Sequence, residues 1–399
     1  RWTNVEEDAR VRGDQECLLQ VAVNRKVANR QSPTTIAMMH PLRDEYTDRR
    51  NVMLRAANIN IPVLSVTAFQ DQVVTSRNGH YLDAVDPKYL WVVGTNGPHD
   101  MYHAPLIREK IVRFFDYTIK GKKNGFDREA RTELWFEATS PAKVLGIGDQ
   151  AKPGFTIKLP KYPVPVDTRR FVLGAGRTMA EGGAPAGEPD NFQSPFAAPT
   201  VNAEYVQDNW GATPAGYEKG SAVYTSPALT APLVSAGAAS ANLWVSTTAP
   251  DADLQVTLTE VRPDGQEIYV QRGWLRMSNR ATDPGKSTEL QPHLYDTAQA
   301  IVALNPGEPT LGKVELPNFS HAFRKGSRIR IWVDTPSTTG FLGFSPFAMP
   351  ATIKIWHDAA RPSYLALGAV PGVSVPDRPF ACGQVLKQPC RPDPLGATK

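Results

Sequence analysis

A change of hydrophobic pattern partway along the chain constrains its fold more than any other feature. Up to about residue 165, short apolar runs such as IPVLSVTAF and KYLWVVG alternate with segments that carry apolar residues at helical spacing, such as APLIREKIVRFFDYTIKG. This pattern is typical of a parallel sheet covered by helices. From about residue 223, short strands with alternating apolar and polar residues follow one another. They favour a β-sandwich, most simply a jelly roll.

The composition suggests where the domains begin and end. A chain of 399 residues is long for a single core. Residues 1–55 are charged and helical in pattern, residues 56–165 carry the strand–helix alternation, and residues 166–399 form the predicted β domain. Within it, residues 177–222 are rich in Gly, Ala and Pro and are predicted to be a long irregular loop.

Charge and hydropathy argue against two classes of function. The formal net charge is only +4, and Lys and Arg are scattered rather than interleaved with aromatic residues. Nucleic-acid binding is therefore not expected. No apolar run approaches the length of a membrane helix, so we expect no membrane span.

The cysteines bear on the cellular compartment. Cys382 and Cys390 flank a short segment that a local disulfide can close, and their spacing is not that of a zinc site. A disulfide predicts an extracellular or periplasmic protein. Two free thiols in the cytoplasm are the alternative.

Two titratable residues stand directly after predicted parallel strands. Asp71 follows IPVLSVTAF, and His99 follows LWVV. Such strand ends meet at the edge where open α/β sheets keep their chemistry. An Asp before a His matches the last two members of a hydrolase triad, in which the carboxylate orients the histidine that takes the nucleophile's proton. Alternatively, Asp71 caps a helix and His99 is an ordinary loop residue.

Five segments give the sequence a family resemblance. They are IPVLSVTAFQDQVV, LWVVGTNGPH, RFFDYTIKGKKNGFDREARTELWFE, APDADLQVTLTEVRPDG and RGWLRMSNR. In order along almost the whole chain, they resemble the cocaine-esterase/X-Pro dipeptidyl-peptidase (CocE/NonD) type of serine hydrolase. This group includes cephalosporin acylases, α-amino-acid ester hydrolases and X-prolyl dipeptidyl peptidases.

The resemblance implies a fold and a mechanism. The chain would comprise a remnant of a helical cap, the C-terminal half of an α/β-hydrolase domain, and a C-terminal jelly roll. Asp71 would be the triad acid and His99 the triad base, with no cofactor and no metal. The family often has an aromatic pair before the acid, where this chain has Phe69 and Gln70. Gln70 is therefore a candidate substrate contact.

The nucleophile of such a triad is missing from the sequence. The elbow motif Gly-x-Ser-x-Gly does not occur, and the family's serine lies further upstream than the residues before Asp71 allow. The chain also begins at Arg1 rather than Met. We therefore expect a processed C-terminal portion whose partner is the N-terminal chain of the same precursor, carrying the serine. A truncated single chain is the alternative.

Other residues are weaker candidates. His103 is a candidate substrate contact or a surface histidine, and His99, Asp100 and His103 together are a weak metal pattern. Asp44 and Glu45 lie in the presumed cap, where they would read a substrate amine or begin a helix. Trp210 would approach the site from the β domain or pack there.

Two functions remain at this point. The first is a serine hydrolase that cleaves a small-molecule or peptide ester or amide through an acyl-enzyme. The second is a non-catalytic binding or structural subunit whose jelly roll binds carbohydrate or protein. The two functions differ in whether the N-terminal partner carries the serine of a Gly-x-Ser-x-Gly motif.

Overall fold

The computed structural model describes residues 9–27, 33–71, 79–99, 101–140, 150–194, 220–336 and 349–396. The α-helices that begin and end in these ranges are α1 (Gln15–Val27), α2 (Pro33–Met39), α3 (Glu45–Asp48), α4 (Gly79–Leu82) and α5 (Pro105–Thr118). No helix in the described ranges is long and apolar enough to cross a membrane.

A small sheet follows the first helices. Its strands, in spatial order, are β1 (Val63–Ala68), β2 (Leu90–Thr95), β3 (Thr132–Phe136) and β4 (Phe155–Leu159). The first three are parallel, and β4 is antiparallel to β3. All residues of β2 are buried, as expected for a central parallel strand covered on both faces.

Helix α5 forms the crossover from β2 to β3. Pro105 at its first turn has the backbone angle that a helix start needs. Ile107 packs with Val93 and Trp135 of the sheet, and Phe114 packs with Trp91. Ile107 and Phe114 therefore lie on the face that covers the small sheet, whereas Phe115 and Ile119 of the same apolar pattern are exposed.

The rest of the chain forms a large, mainly antiparallel sheet. Its strands are β5 (Asp167–Gly174), β6 (Thr178–Glu181), β7 (Asp190–Ser194), β8 (Ala222–Thr225), β9 (Leu233–Thr247), β10 (Asp253–Val261), β11 (Gln266–Arg276), β12 (Thr310–Phe323), β13 (Arg328–Asp334), β14 (Ala351–Trp356), β15 (Tyr364–Ala369) and β16 (Cys390–Pro392). The spatial order is β16-β11-β10-β13-β8-β6-β5-β15-β9-β14-β7, and β12 pairs with β9. Its description as a jelly roll stays a prediction.

The core of the large sheet is built by alternation. Leu254, Val256 and Leu258 on β10 contribute every second side chain to one buried cluster, together with Ile329 and Ile331 on β13. Strands β11 and β12 come so close that a Cβ at Gly273 would lie 1.8 Å from the main-chain oxygen of Glu315. Only glycine fits at this crossing.

The prediction of an irregular loop over residues 177–222 is wrong for part of this range. The range contains β6 and β7, which pair with β5 and β14 respectively. The strand β14 lies far along the sequence, so the local Gly, Ala and Pro content could not reveal this pairing. Residues 195–219 lie outside the described residues.

The two sheets share a buried core. Phe69, Leu134 and Phe136 of the small sheet share a buried cluster with Ala236 and Ala322 of the large one. Near the end of the chain, the structure joins Cys382 and Cys390 in a disulfide with their Cα atoms 5.7 Å apart. Since Cys390 begins β16, the bridge fixes this edge strand to the loop before it.

Candidate active site

Asp71 and His99 lie at the carboxyl ends of neighbouring parallel strands. Strands β1 and β2 pair in register up to Ala68 and Thr95, and the amide of Phe69 donates to the carbonyl of Thr95 over 2.7 Å. The two loops therefore leave the sheet side by side. The sequence placed both residues after these strands, and the structure brings their side chains together.

The pair has the geometry of an oriented histidine. His99 Nδ1 and Asp71 Oδ2 are 2.7 Å apart. The Asp71 side chain is 8% exposed, whereas that of His99 is 51% exposed. A buried carboxylate on Nδ1 favours the tautomer with its proton there, so that Nε2 on the other side of the ring is the acceptor.

A glycine in β2 supports the turn that carries Asp71. A Cβ at Gly94 would lie 2.4 Å from Cζ of Phe69. The absence of a side chain lets the Phe69 ring, 4% exposed, lie directly over the strand. The residue two positions before Asp71 is thereby packed in the core between the sheets.

The large sheet contacts both loops. Gln70 Nε2 donates to the carbonyl of Val270 in β11 over 2.5 Å. Asn96 Nδ2 donates to the carbonyl of Ser320 in β12, and Asn96 Oδ1 accepts from the Ser320 amide over 3.2 Å. The amide nitrogen of Gln70 is therefore turned towards the large sheet, and the predicted substrate contact of this residue stays a prediction.

Asp44 and Glu45 lie where a helix begins. Asp44 is the N-cap of α3, and its Oδ1 accepts from the amide of Thr47. The hydrogen bond from His40, followed by that from Thr47, lowers the pKa of the Asp44 carboxyl. Glu45 bonds to Arg49 one turn along. These contacts are those of a solvated helix start, and contact with a substrate amine stays a prediction.

His103 is exposed and lies beside Tyr102, with ring centroids 4.2 Å apart. Trp210 and Asp100 lie outside the described residues. Within the described ranges, no group of three or more His, Cys, Asp or Glu side chains is arranged to hold a metal ion. The roles predicted for His103 and Trp210 stay predictions.

A second titratable cluster, which the sequence did not indicate, lines a cavity of about 520 Å³. His80 Nε2 lies 2.7 Å from Glu315 Oε1, and the ring of His80 stacks on that of His293. Burial raises the pKa of the nearby Asp83 carboxyl. Asp71 and His99 do not line this cavity, so it is separate from the strand-end pair.

The fold is that of CocE/NonD family hydrolases. The crystal structure of one from Staphylococcus aureus superposes with a TM-score of 0.67 at 17% identity, covering 85% of this chain and 59% of that chain. An α-amino acid ester hydrolase superposes with a TM-score of 0.63 at 17% identity, covering 87% of this chain and 62% of that chain. This likeness is one of fold.

Sequence comparison identifies the family. Residues 124–366 match the X-Pro dipeptidyl-peptidase C-terminal non-catalytic domain, and the chain belongs to this family. A protein of Mycobacterium bovis named as a serine esterase is 29% identical over 149 residues, which are 37% of this chain and 23% of that protein. The chain thus spans less than two thirds of these relatives, and the resemblance read from its five segments is confirmed.

Proposed function

We propose that the chain is the acid–base half of a serine hydrolase that cleaves an ester or amide bond. The observation that carries the proposal is the 2.7 Å contact between Asp71 and His99 at the ends of adjacent parallel strands. A buried carboxylate behind a half-exposed imidazole is the arrangement that activates a hydroxyl nucleophile. The jelly roll predicted for the large sheet forms part of the same proposal.

The proposed reaction has two stages. His99 Nε2 takes the proton of a serine hydroxyl while the serine oxygen attacks the acyl carbon. His99 then gives this proton to the departing alcohol or amine. Water next attacks the acyl-enzyme with His99 again as the base, which releases the acid and restores the serine. Asp71 holds the Nδ1 proton throughout and stabilises the imidazolium.

The serine is proposed to lie on a segment outside residues 1–399, either earlier in one chain or on a separate N-terminal chain of the same precursor. Strand β1 supports this. Among the described strands, only β2 pairs with it. Its apolar residues Val63, Leu64 and Val66 are all partly exposed, in contrast to the fully buried β2. Further parallel strands on this edge would cover them.

The compartment is part of the proposal. The disulfide between Cys382 and Cys390 supports an extracellular or periplasmic location. The substrate is proposed to be a small-molecule or peptide ester or amide, because the fold is shared with an α-amino acid ester hydrolase. A fold of this type hosts several such activities.

A second function is favoured by one finding, the description of the matched family as a non-catalytic domain. In this case the chain is a binding or structural subunit for carbohydrate or protein. The cavity beside His80 and His293 has a volume typical of ligand sites. The two proposals differ in whether His99 is needed for turnover.

The test compares His99 with an exposed residue of helix α5 in the complete protein. His99→Ala should lower kcat on p-nitrophenyl acyl esters and N-acyl amides by about 10³-fold or more, because the base is lost. Glu109→Ala, which changes an exposed residue of helix α5, should change kcat less than about threefold. Equal rates for the wild type and His99→Ala would remove the hydrolase proposal and leave the binding subunit.

A further inference from the structure

Asp71 and His99 both lie on loops, although a catalytic pair needs a precise distance and orientation between its side chains. Loops move more than the strands that they connect. A catalytic pair must nevertheless be held to within about 0.5 Å of its working geometry by surrounding contacts. The parallel pairing of β1 and β2 ends at Ala68 and Thr95. Beyond this point the described part of the small sheet adds only the backbone bonds from Phe69 to Thr95 and from Asp71 to Ala68, so side-chain contacts from other strands are needed to fix both loops.

The Asp71 loop is fixed to the large sheet through Gln70 and its neighbour. Gln70 is fully buried, and its Nε2 lies 2.5 Å from the carbonyl oxygen of Val270. From the other direction, Gln271 Nε2 donates to the carbonyl of Phe69 over 3.3 Å and to that of Asn318 over 3.1 Å. Both contacts come from adjacent residues of β11.

The His99 loop is fixed to β12 in a similar way. Asn96 is 1% exposed, and its side-chain amide pairs with both main-chain groups of Ser320. The Ser320 hydroxyl donates its one proton to the carbonyl of Trp135 at 3.0 Å, with Asn96 Oδ1 as the alternative acceptor at 3.3 Å. Ser320 thus bridges the His99 loop and β3.

The same arrangement of contacts occurs in both loops. In each loop a buried primary amide, one residue before Asp71 or three before His99, bonds to the main chain of a neighbouring strand. Strands β11 and β12 approach each other so closely that Gly273 admits no side chain. Gln70 and Asn96 therefore attach the two loops to two closely packed strands. A shift of either strand would change the distance between Asp71 and His99.

We propose that Gln70 and Asn96 are positioning residues, through which the large sheet holds Asp71 and His99 at hydrogen-bonding distance. Strands β11 and β12 lie in the domain that is described as non-catalytic. In this proposal they set the geometry of the catalytic pair without contacting the substrate. This inference rests on the proposed function for its effect on hydrolysis, but its effect on the pair itself can be measured without turnover.

The test uses four variants of the complete protein. Gln70→Met keeps the volume but loses the donor, and Asn96→Ala loses both bonds to the Ser320 main chain. Ser320→Ala is milder, since it removes only the hydrogen bond of the hydroxyl. The control is Gln255→Met, because Gln255 is equally buried but bonds within the large sheet, to Asp334 Oδ1 at 2.8 Å.

Two readouts separate positioning from loss of stability. Gln70→Met and Asn96→Ala should lower kcat by about 10- to 100-fold with little change in KM, Ser320→Ala less, and Gln255→Met less than about threefold. With histidine labelled by ¹⁵N, the hydrogen-bonded Nδ1 proton of His99 should disappear or shift in the first two variants and persist in the control, at temperatures where all are folded.

The possible outcomes separate the positioning role from the proposed function. Wild-type kcat and an unchanged His99 Nδ1 proton in Gln70→Met and Asn96→Ala would overturn the positioning role. Losses equal to that of Gln255→Met would do the same, because they would reflect stability alone. If the wild type hydrolyses no ester or amide while the Nδ1 proton still depends on Gln70 and Asn96, the proposed function fails and the positioning role stands.

Discussion

At the scale of single residues, two stacked histidines differ in their affinity for protons. The rings of His80 and His293 have centroids 3.9 Å apart. Burial lowers the pKa of His80, but the hydrogen bond and charge of Glu315 outweigh it and hold that pKa above its ordinary value. Burial and the neighbouring His80 lower the pKa of His293 to about 4, with Lys286 acting in the same direction and Asp283 against it.

This difference predicts a pH dependence of stability. Between about pH 6.5, where an unfolded histidine titrates, and about pH 4, the unfolded chain binds a proton at His293 that the folded chain does not. The free energy of unfolding should therefore fall as the pH falls through this window. In His293→Asn, which has no such proton to bind, urea unfolding between pH 4.5 and 7 should show a shallower fall. Parallel curves for the two proteins would contradict the lowered pKa.

Residues differ in how far the sequence reveals their roles. The proximity of Asp71 and His99 could be predicted because each follows its own apolar strand and parallel strands end at a common edge, whereas their catalytic roles stay predictions. The contacts of Gln70 and Asn96 could not be predicted, because their partners Val270 and Ser320 are 200 and 224 residues away. Nothing local to a buried amide indicates which strand it will meet.

At the scale of elements, one ion pair ties the end of β3 to the end of β12. Glu137 follows β3, and its carboxylate binds Arg324 through two hydrogen bonds of 2.5 and 3.0 Å. Both side chains are 11% exposed. Removing one partner would leave the other charge buried without its counterion, which is costly in a poorly solvated site.

Arg324→Ala should therefore lower the free energy of unfolding by about 3–5 kcal/mol. Arg169→Ala is the matched control, because Arg169 and Glu181 form an ion pair whose side chains are 43% and 42% exposed. Its loss should cost less than about 1 kcal/mol. Denaturant unfolding of both variants measures the difference, and equal losses would show that the Glu137 pair does not hold the two sheets together.

The elements themselves were predictable to different degrees. The apolar runs of β1 and β2 and the helical spacing of α5 are strong local signals, and the structure contains all three. Strands β6 and β7 were missed because they are only four and five residues long within a Gly- and Pro-rich stretch. Pairing with distant strands, rather than local propensity, makes them strands.

At the scale of the whole molecule, we propose that the small sheet supplies the catalytic groups and that the large sheet positions them. The loops after β1 and β2 contact β11 and β12, and the apolar residues of β1 are partly exposed, where the proposed N-terminal part would pack. The family resemblance indicated the order of the two parts along the chain, but not these contacts, since no local pattern shows how two sheets meet.

The most direct test of this account is covalent labelling of the complete protein with a fluorophosphonate, read by mass spectrometry of the intact chains and of their peptides. If Asp71 and His99 complete the triad, one adduct per complex should form on a serine outside residues 1–399, and labelling should be lost in His99→Ala but not in Glu109→Ala. Absence of any adduct, or labelling that does not depend on His99, would contradict the claim that Asp71 and His99 complete a catalytic triad.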